Sequence, residues 1–142
     1  MSNILNSFKE TWITDKIDES TIAFLEKFGF YLCDKKDEND RYAGRNAVTT
    51  SQLRNMYSEV KRIEQKIEDE ATDWKTDFLM LRPKIAYNVA RVLSKARESR
   101  IKDFREVIEK AHSAVRTTAH FDNFVKIFEG IIAYHKVYGA KD

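Results

Sequence analysis

The chain is 142 residues long, 42% hydrophobic and 12% aromatic, with 25 Lys or Arg against 23 Asp or Glu for a formal net charge of +2. That size suits one compact domain with its own core, the composition excludes a disordered tail, and no apolar run approaches the roughly 18 residues of a membrane-spanning helix. The single cysteine, Cys33, excludes an internal disulfide framework, and the N-terminus lacks the basic-then-apolar layout of a secretory signal, so a reducing cytoplasm is the expected location.

A pI near 8.6 falls short of an obvious nucleic-acid binder, but the charge is unevenly spread. Residues 1–40 hold five Lys and nine Asp or Glu, net −4, whereas residues 82–116 hold ten Lys or Arg against four acids, net +6. One proline and four glycines punctuate the chain. With little strand-like alternation, helices are the expectation.

Residues 1–18 are acidic and carry Trp12 and Ile13 amid charges. They read as a flexible N-terminal arm that docks on a neighbouring subunit and orders on binding, or as a frayed terminus. A first helix is expected from Glu19 or Ser20 to about Leu32, with Ile22, Leu25, Phe28 and Leu32 as its apolar stripe. Residues 34–48, polar and nearly charge-balanced, read as an exposed loop.

The stretch "TTSQLRNMYSEVKRI" from Thr49 starts the second helix. Thr49 and Gln52 fit a capping box, and Leu53, Met56, Val60, Ile63 and Ile67 repeat at i+3, i+4 spacing to about Glu70. A short segment capped by Asp73 is expected to stop before Pro83, because the residue ahead of a proline is pushed from helical angles. Pro83 then opens the third helix, to about Arg97, burying Ile85, Val89, Val92, Leu93 and Ala96. The fourth helix carries Ile101, Phe104, Ile108, Ala111 and Val115 as one stripe. The fifth buries Phe121, Phe124, Val125, Phe128, Ile131 and Ile132, with Gly139 as C-cap. The fold expected is all-α, a compact bundle of about five main helices forming a single helical domain over residues 1–142.

The search for reactive groups returns little. His112, His120 and His135 occur in no metal-binding spacing, Cys33 ends an apolar helix with no histidine nearby, and Gly44 lacks the surroundings of a phosphate loop. No catalytic residue, metal ligand or cofactor is expected. A small metal-dependent nuclease would rest on His120 near Asp122 and scattered carboxylates.

Positive charge laid out on helices remains. Lys84, Arg91 and Lys95 fall on one face of the Pro83 helix with Asn88 beside them. Arg54, Ser58, Lys61 and Gln65 share a strip of the second helix flanking Tyr57, and Lys102, Arg105, His112 and Arg116 align on the fourth. Each strip also fits an ordinary solvated face. Arg54 stands out because a helix start attracts phosphate and a guanidinium there adds a bidentate partner. Contacts of that kind confer affinity without sequence choice.

Three segments, "TTSQLRNMYSEVKRI", "LRPKIAYNVAR" and "FDNFVKIFEGIIAYHKVYG", resemble in that order the small subunit of type III-A CRISPR-Cas effector complexes, the Csm complex. The resemblance spans about Val48 to Tyr138. It implies a non-catalytic, multi-copy helical subunit that stacks where guide (crRNA) and target RNA pair, beside the large subunit, the repeated backbone subunit and further copies of itself. It places the family's basic positions on Arg54, Lys84, Arg91 and Lys136, to which the helix strips add Lys61 and Lys95 as RNA-binding candidates. Ala90 departs from the glycine expected before Arg91, which would alter a close backbone contact there. The contrasting expectation, drawn from the small net charge and acidic N-terminal third, is a helical protein-interaction module without RNA contact.

Overall fold

The computed structural model describes residues 2–70 and 73–142, with side chains described from residue 4 onward. Among them are α1 (Ser2–Asn6), α2 (Thr11–Thr14), α3 (Glu19–Leu32), α4 (Thr50–Glu68), α5 (Trp74–Lys95), α6 (Ile101–Ser113) and α7 (Thr118–Val137). α3 to α7 are the five main helices of an all-α bundle. The only β-type pairing among the described residues is an isolated bridge between Thr49 and Lys141.

The largest departure from expectation is α5, which runs unbroken through Pro83. A proline removes one intrahelical bond and costs about 3 kcal/mol in a helix interior. The apolar register decides the outcome: Trp74, Phe78, Leu81, Ile85, Val89 and Val92 recur at spacings of four and three without a change of phase across Pro83, and all pack on the core. Breaking the helix would forfeit one half of that stripe. Pro83 and the preceding turn's Leu79 are exposed, so water can reach the carbonyl that the proline leaves unpaired. Val92, Leu93 and Ala96, expected inside, are only half-buried near the helix end.

α7 lies at the centre, packed along α3 on one side and α4 on another, while α5 bridges α4 and α6. The α3–α7 approach is close because each helix turns a glycine to the other. A Cβ on Gly29 would come within 2.6 Å of Tyr134 Cβ, and one on Gly130 within 2.5 Å of Leu25 Cδ1. Thr21 and Phe24 take the inward positions at the start of α3, and Ile22, expected in the stripe, is 40% exposed.

The N-terminal segment does not hold Trp12 and Ile13 out for a partner. Both are buried in the protein's own core, at 1% and 0% exposure. The Trp12 indole packs among Phe8 and Phe24 and donates to Ser20 Oγ at 3.1 Å, and Asn123 on α7 donates to the Ile13 carbonyl at 2.9 Å. Burying these two side chains is worth several kcal/mol by area, enough to spend the expected docking pair internally. Residue 1 of that segment lies outside the described residues.

The loop after α3 is likewise less free than expected. Its ends are tied by bonds from Gly44 N–H to Cys33 O at 3.0 Å and from Val48 N–H to Leu32 O at 2.8 Å. Arg100 holds its base, donating to Tyr31 O at 2.7 Å, pairing with Asp34 at 2.9 Å and lying over the Tyr31 ring at 4.3 Å. Ala47 and Val48 are buried, while residues 36–39, Arg41, Tyr42 and Arg45 are exposed.

Candidate nucleic-acid interface

α4 begins as its sequence dictates. Gln52 N–H donates to Thr49 Oγ1 at 3.1 Å and Thr49 N–H to Gln52 Oε1 at 2.9 Å, closing the capping box. The C-terminal residues complete the cap, for Thr50 N–H donates to Lys141 O at 2.7 Å. These internal acceptors answer the groups that made the α4 start look like a phosphate seat. Arg54 is therefore an exposed guanidinium on the first turns of a capped helix, with no bonding partner among the described residues.

A groove of about 330 Å³ runs between the N-terminal half of α4 and the C-terminal half of α5. Gln52 and Asn55 line one wall, Asn88, Arg91 and Lys95 the other, and Met56, Val92 and Ile101 the floor. Asn55 and Asn88 also line a second hollow of about 360 Å³ that continues past Lys84. Lys95 passes into a third, about 530 Å³, with Arg45 and Arg97. These adjoining hollows bring Lys84, Arg91 and Lys95 near two arginines that the sequence reading missed, and two of the hollows also hold an acid, Glu59 in one and Glu98 in the other. Arg45 lies in the loop and Arg97 beyond the helix, so neither shows in a helical periodicity.

The charges in these hollows are not equally available. Lys84 Nζ is engaged by Glu59 at 2.7 Å, and Glu59 also takes Arg62 at 3.2 Å; the Lys84 contact first, then Arg62, holds the Glu59 carboxyl below its ordinary range. Arg91 has no carboxylate partner among the described residues and leans over the exposed Tyr87 ring at 5.8 Å. Lys95 is unpaired among the described residues.

Arg54 and Lys61 belong to a different strip. At about 100° per residue they turn away from the face that carries Gln52, Asn55 and Glu59, toward the α7 side, where the Tyr57 ring packs tilted against Phe128 at 5.4 Å. Burial first, then Glu129, raises the Tyr57 pKa. Lys61 pairs with Glu64 and lies over the Tyr57 ring. α4 and α7 run antiparallel, since Tyr57 meets Phe128 while Val48 O meets His135 Nε2 at 2.7 Å. That brings the α7 end, with exposed Lys136, back toward the start of α4. The six candidates therefore divide into two strips flanking α4: Lys84, Arg91 and Lys95 on the groove side, and Arg54, Lys61 and Lys136 on the other.

The strip expected on the fourth helix does not form. His112 is 4% exposed, stacked on Phe78 at 3.9 Å, with Nε2 2.6 Å from Phe78 O. Burial lowers its pKa, and the same cause lowers that of His135. Arg105 is spent on Glu109 at 3.0 Å, and Arg116 caps the carbonyls of Ser113 and Val115. His120 Nδ1 accepts the Arg116 N–H at 3.1 Å, and Asp122 pairs with Lys126 at 3.1 Å. Among the described residues no three His, Cys, Asp or Glu converge as metal ligands, and no helix is long and apolar enough to cross a membrane.

The model of the family described as Csm2 Type III-A matches residues 31–141. The chain belongs to this family. It is therefore a small subunit of the type III-A Csm complex of CRISPR-Cas systems. The match begins at Tyr31, earlier than the Val48 where the resemblance was read, and takes in the loop, the groove and both basic strips. α1, α2 and nearly all of α3 precede it, although Trp12, Ile13 and Phe24 are part of the core that the matched helices share. No curated protein and no solved structure matches the chain.

Proposed function

We propose that this Csm2-family subunit is a non-catalytic, multi-copy, cytoplasmic scaffold. It grips the backbone of guide and target RNA without reading sequence, beside the large subunit, the repeated backbone subunit and copies of itself. The observation that carries the reading is the pair Arg91 and Lys95, one helical turn apart at the edge of the α4–α5 groove, neither engaged by a carboxylate among the described residues. Cations left free in a groove with no acid in its lining are what a polyanion requires. Lys84 extends the track, and Arg54, Lys61 and Lys136 supply a second line of contact across α4.

Replacing Arg91 and Lys95 by alanine in the assembled complex should weaken RNA capture alike for unrelated sequences. The log-log salt slope should flatten by about one per lost contact. A loss confined to particular sequences contradicts the reading. Measurement belongs in the complex because several weak copies gain through effective concentration.

One observation favours the alternative, a protein-interaction module without direct RNA contact. Leu79 and Tyr87 are each 64% exposed and Met80 51%, all on α5, and an exposed apolar patch commonly marks a protein contact. Under that reading Lys84→Glu with Lys95→Glu leaves RNA capture unchanged while assembly fails.

A further inference from the structure

The α4–α5 groove contains more than a phosphate track needs. Its floor is apolar, with Met56 and Ile101 each at 1% exposure and Val92 half-buried. Three carboxamides line its walls, and their hydrogen-bonding capacity is only partly used. Gln52 Oε1 accepts Thr49 N–H, which leaves its amide nitrogen as a donor. Asn88 Nδ2 donates to Lys84 O at 3.1 Å; because a carbonyl can only accept, the amide orientation follows and Oδ1 stays an acceptor. The Asn55 side chain has no partner among the described residues, leaving one donor pair and one acceptor.

Through their nitrogens these carboxamides can donate to phosphate, but the acceptor oxygens of Asn55 and Asn88 find no partner on it. A mixed set of donors and acceptors above an apolar floor matches the edge and face of a nucleobase. The volume, about 330 Å³, is within the range of small-molecule sites, about 300–1,000 Å³. Arg91 and Lys95, about 6 Å apart along the helix, stand at the rim where a sugar-phosphate would leave the pocket.

We infer that the α4–α5 groove seats one unstacked nucleobase of a bound RNA strand, with the adjoining phosphate held by Arg91 and Lys95. The inference rests on the RNA-binding reading and adds a base-occupied pocket to it. Carboxamides present both a donor and an acceptor, so any of the four bases finds a partner there. The pocket thus favours an extruded base over an abasic position while tolerating every sequence.

The test is a titration of the isolated full-length protein, followed by two-dimensional NMR of its backbone and side-chain amides, with adenosine 5′-monophosphate and with ribose 5-phosphate. The expected result is shifts of the Gln52, Asn55 and Asn88 side-chain amides with the nucleotide, and binding tighter than the sugar phosphate by on the order of tenfold. Asn55→Leu and the groove-filling Val92→Phe should each bring nucleotide binding down to the sugar-phosphate level. Asn55 is exposed, so its variant keeps the fold even if Val92→Phe does not. A short single-stranded RNA and its abasic counterpart form the control arm. Equal binding of the two, with the three side-chain amides unmoved, overturns the pocket and leaves backbone gripping intact. RNA capture by the assembled complex that is unchanged by Arg91→Ala with Lys95→Ala overturns the two readings together.

Discussion

Lys84 Nζ lies 2.7 Å from Glu59 Oε1 in the hollow that continues the groove, whereas Arg91 lines the groove itself with no carboxylate partner among the described residues. Two cations two turns apart on one helix are thus in different electrostatic states. A phosphate that recruits Lys84 must first compete with Glu59, whereas Arg91 is available at once.

Glu59→Gln should release Lys84 and strengthen RNA capture by the assembled complex about two- to fivefold, the worth of an exposed ion pair. The salt dependence should steepen toward one additional contact. Lys84→Ala in the wild-type background should cost less than Arg91→Ala. Filter-binding at several salt concentrations measures both, and an effect of Lys84→Ala equal to that of Arg91→Ala would show that Glu59 exerts no hold.

The α4 cap makes a second prediction. Thr49→Ala removes the acceptor for Gln52 N–H and should lower stability by about 1 kcal/mol. Denaturant melts of the isolated protein measure it. Thr49→Asp should restore most of the loss, since a carboxylate caps as well and suits the positive helix end. A null result for Thr49→Ala would mean that the Lys141 carbonyl alone secures the start of α4.

Where one local cause dominates, the sequence was legible. Thr49 with Gln52 located α4 because a capping box is satisfied within four residues. The stripes of α6 and α7 located those helices because their apolar spacing is unbroken. Pro83 misled because its local penalty was weighed without the stripe running from Trp74 to Val92, whose burial outweighs it. Trp12 and Ile13 misled for the converse reason: nothing in their immediate neighbours announces that α3 and α7 leave room for them. His112 fell on a basic strip by angle, yet the α5 carbonyl of Phe78 draws it inside. The candidate cations are all exposed, but helical angle within one element does not say which neighbour covers which side. The division into two strips around α4 is therefore a tertiary fact, as are Arg45 and Arg97 beside Lys95.

Acid should destabilise this protein before its carboxylates titrate. Burial lowers the pKa of His112 and of His135 below the ordinary 6.5. The unfolded chain therefore binds protons that the folded one refuses. Their contribution is fully present above about pH 6.5 and is lost as pH falls from there through the folded-state values. Urea melts between pH 7.5 and 5 should show the midpoint falling over that interval. His135→Gln, which keeps a donor for Val48 O, should be less stable at pH 7.5 but show a shallower fall. An unchanged pH slope in the variant would remove His135 from the account.

Gly29→Ala tests the α3–α7 approach on which both flanks of α4 depend. The added Cβ would lie 2.6 Å from Tyr134 Cβ and 2.8 Å from the His135 nitrogen. Two of these neighbours are backbone or backbone-proximal atoms of a core helix, so relief requires α7 to move and not merely a side chain to rotate. Overpacking of that kind costs about 1–3 kcal/mol, against which the helix propensity gained over glycine, about 1 kcal/mol, is too small to compensate. A displaced α7 would also strain the His135 contact to Val48 O and the Lys141 contact to Thr50 N–H, both of which tether the start of α4. The variant should therefore melt earlier and exchange its α4 first-turn amides faster. Gly130→Ala, meeting only the movable end of Leu25, should be the milder of the two. Thermal melts together with hydrogen exchange rank the pair, and a Gly130→Ala defect as large as that of Gly29→Ala would refute the argument that backbone contact sets the cost.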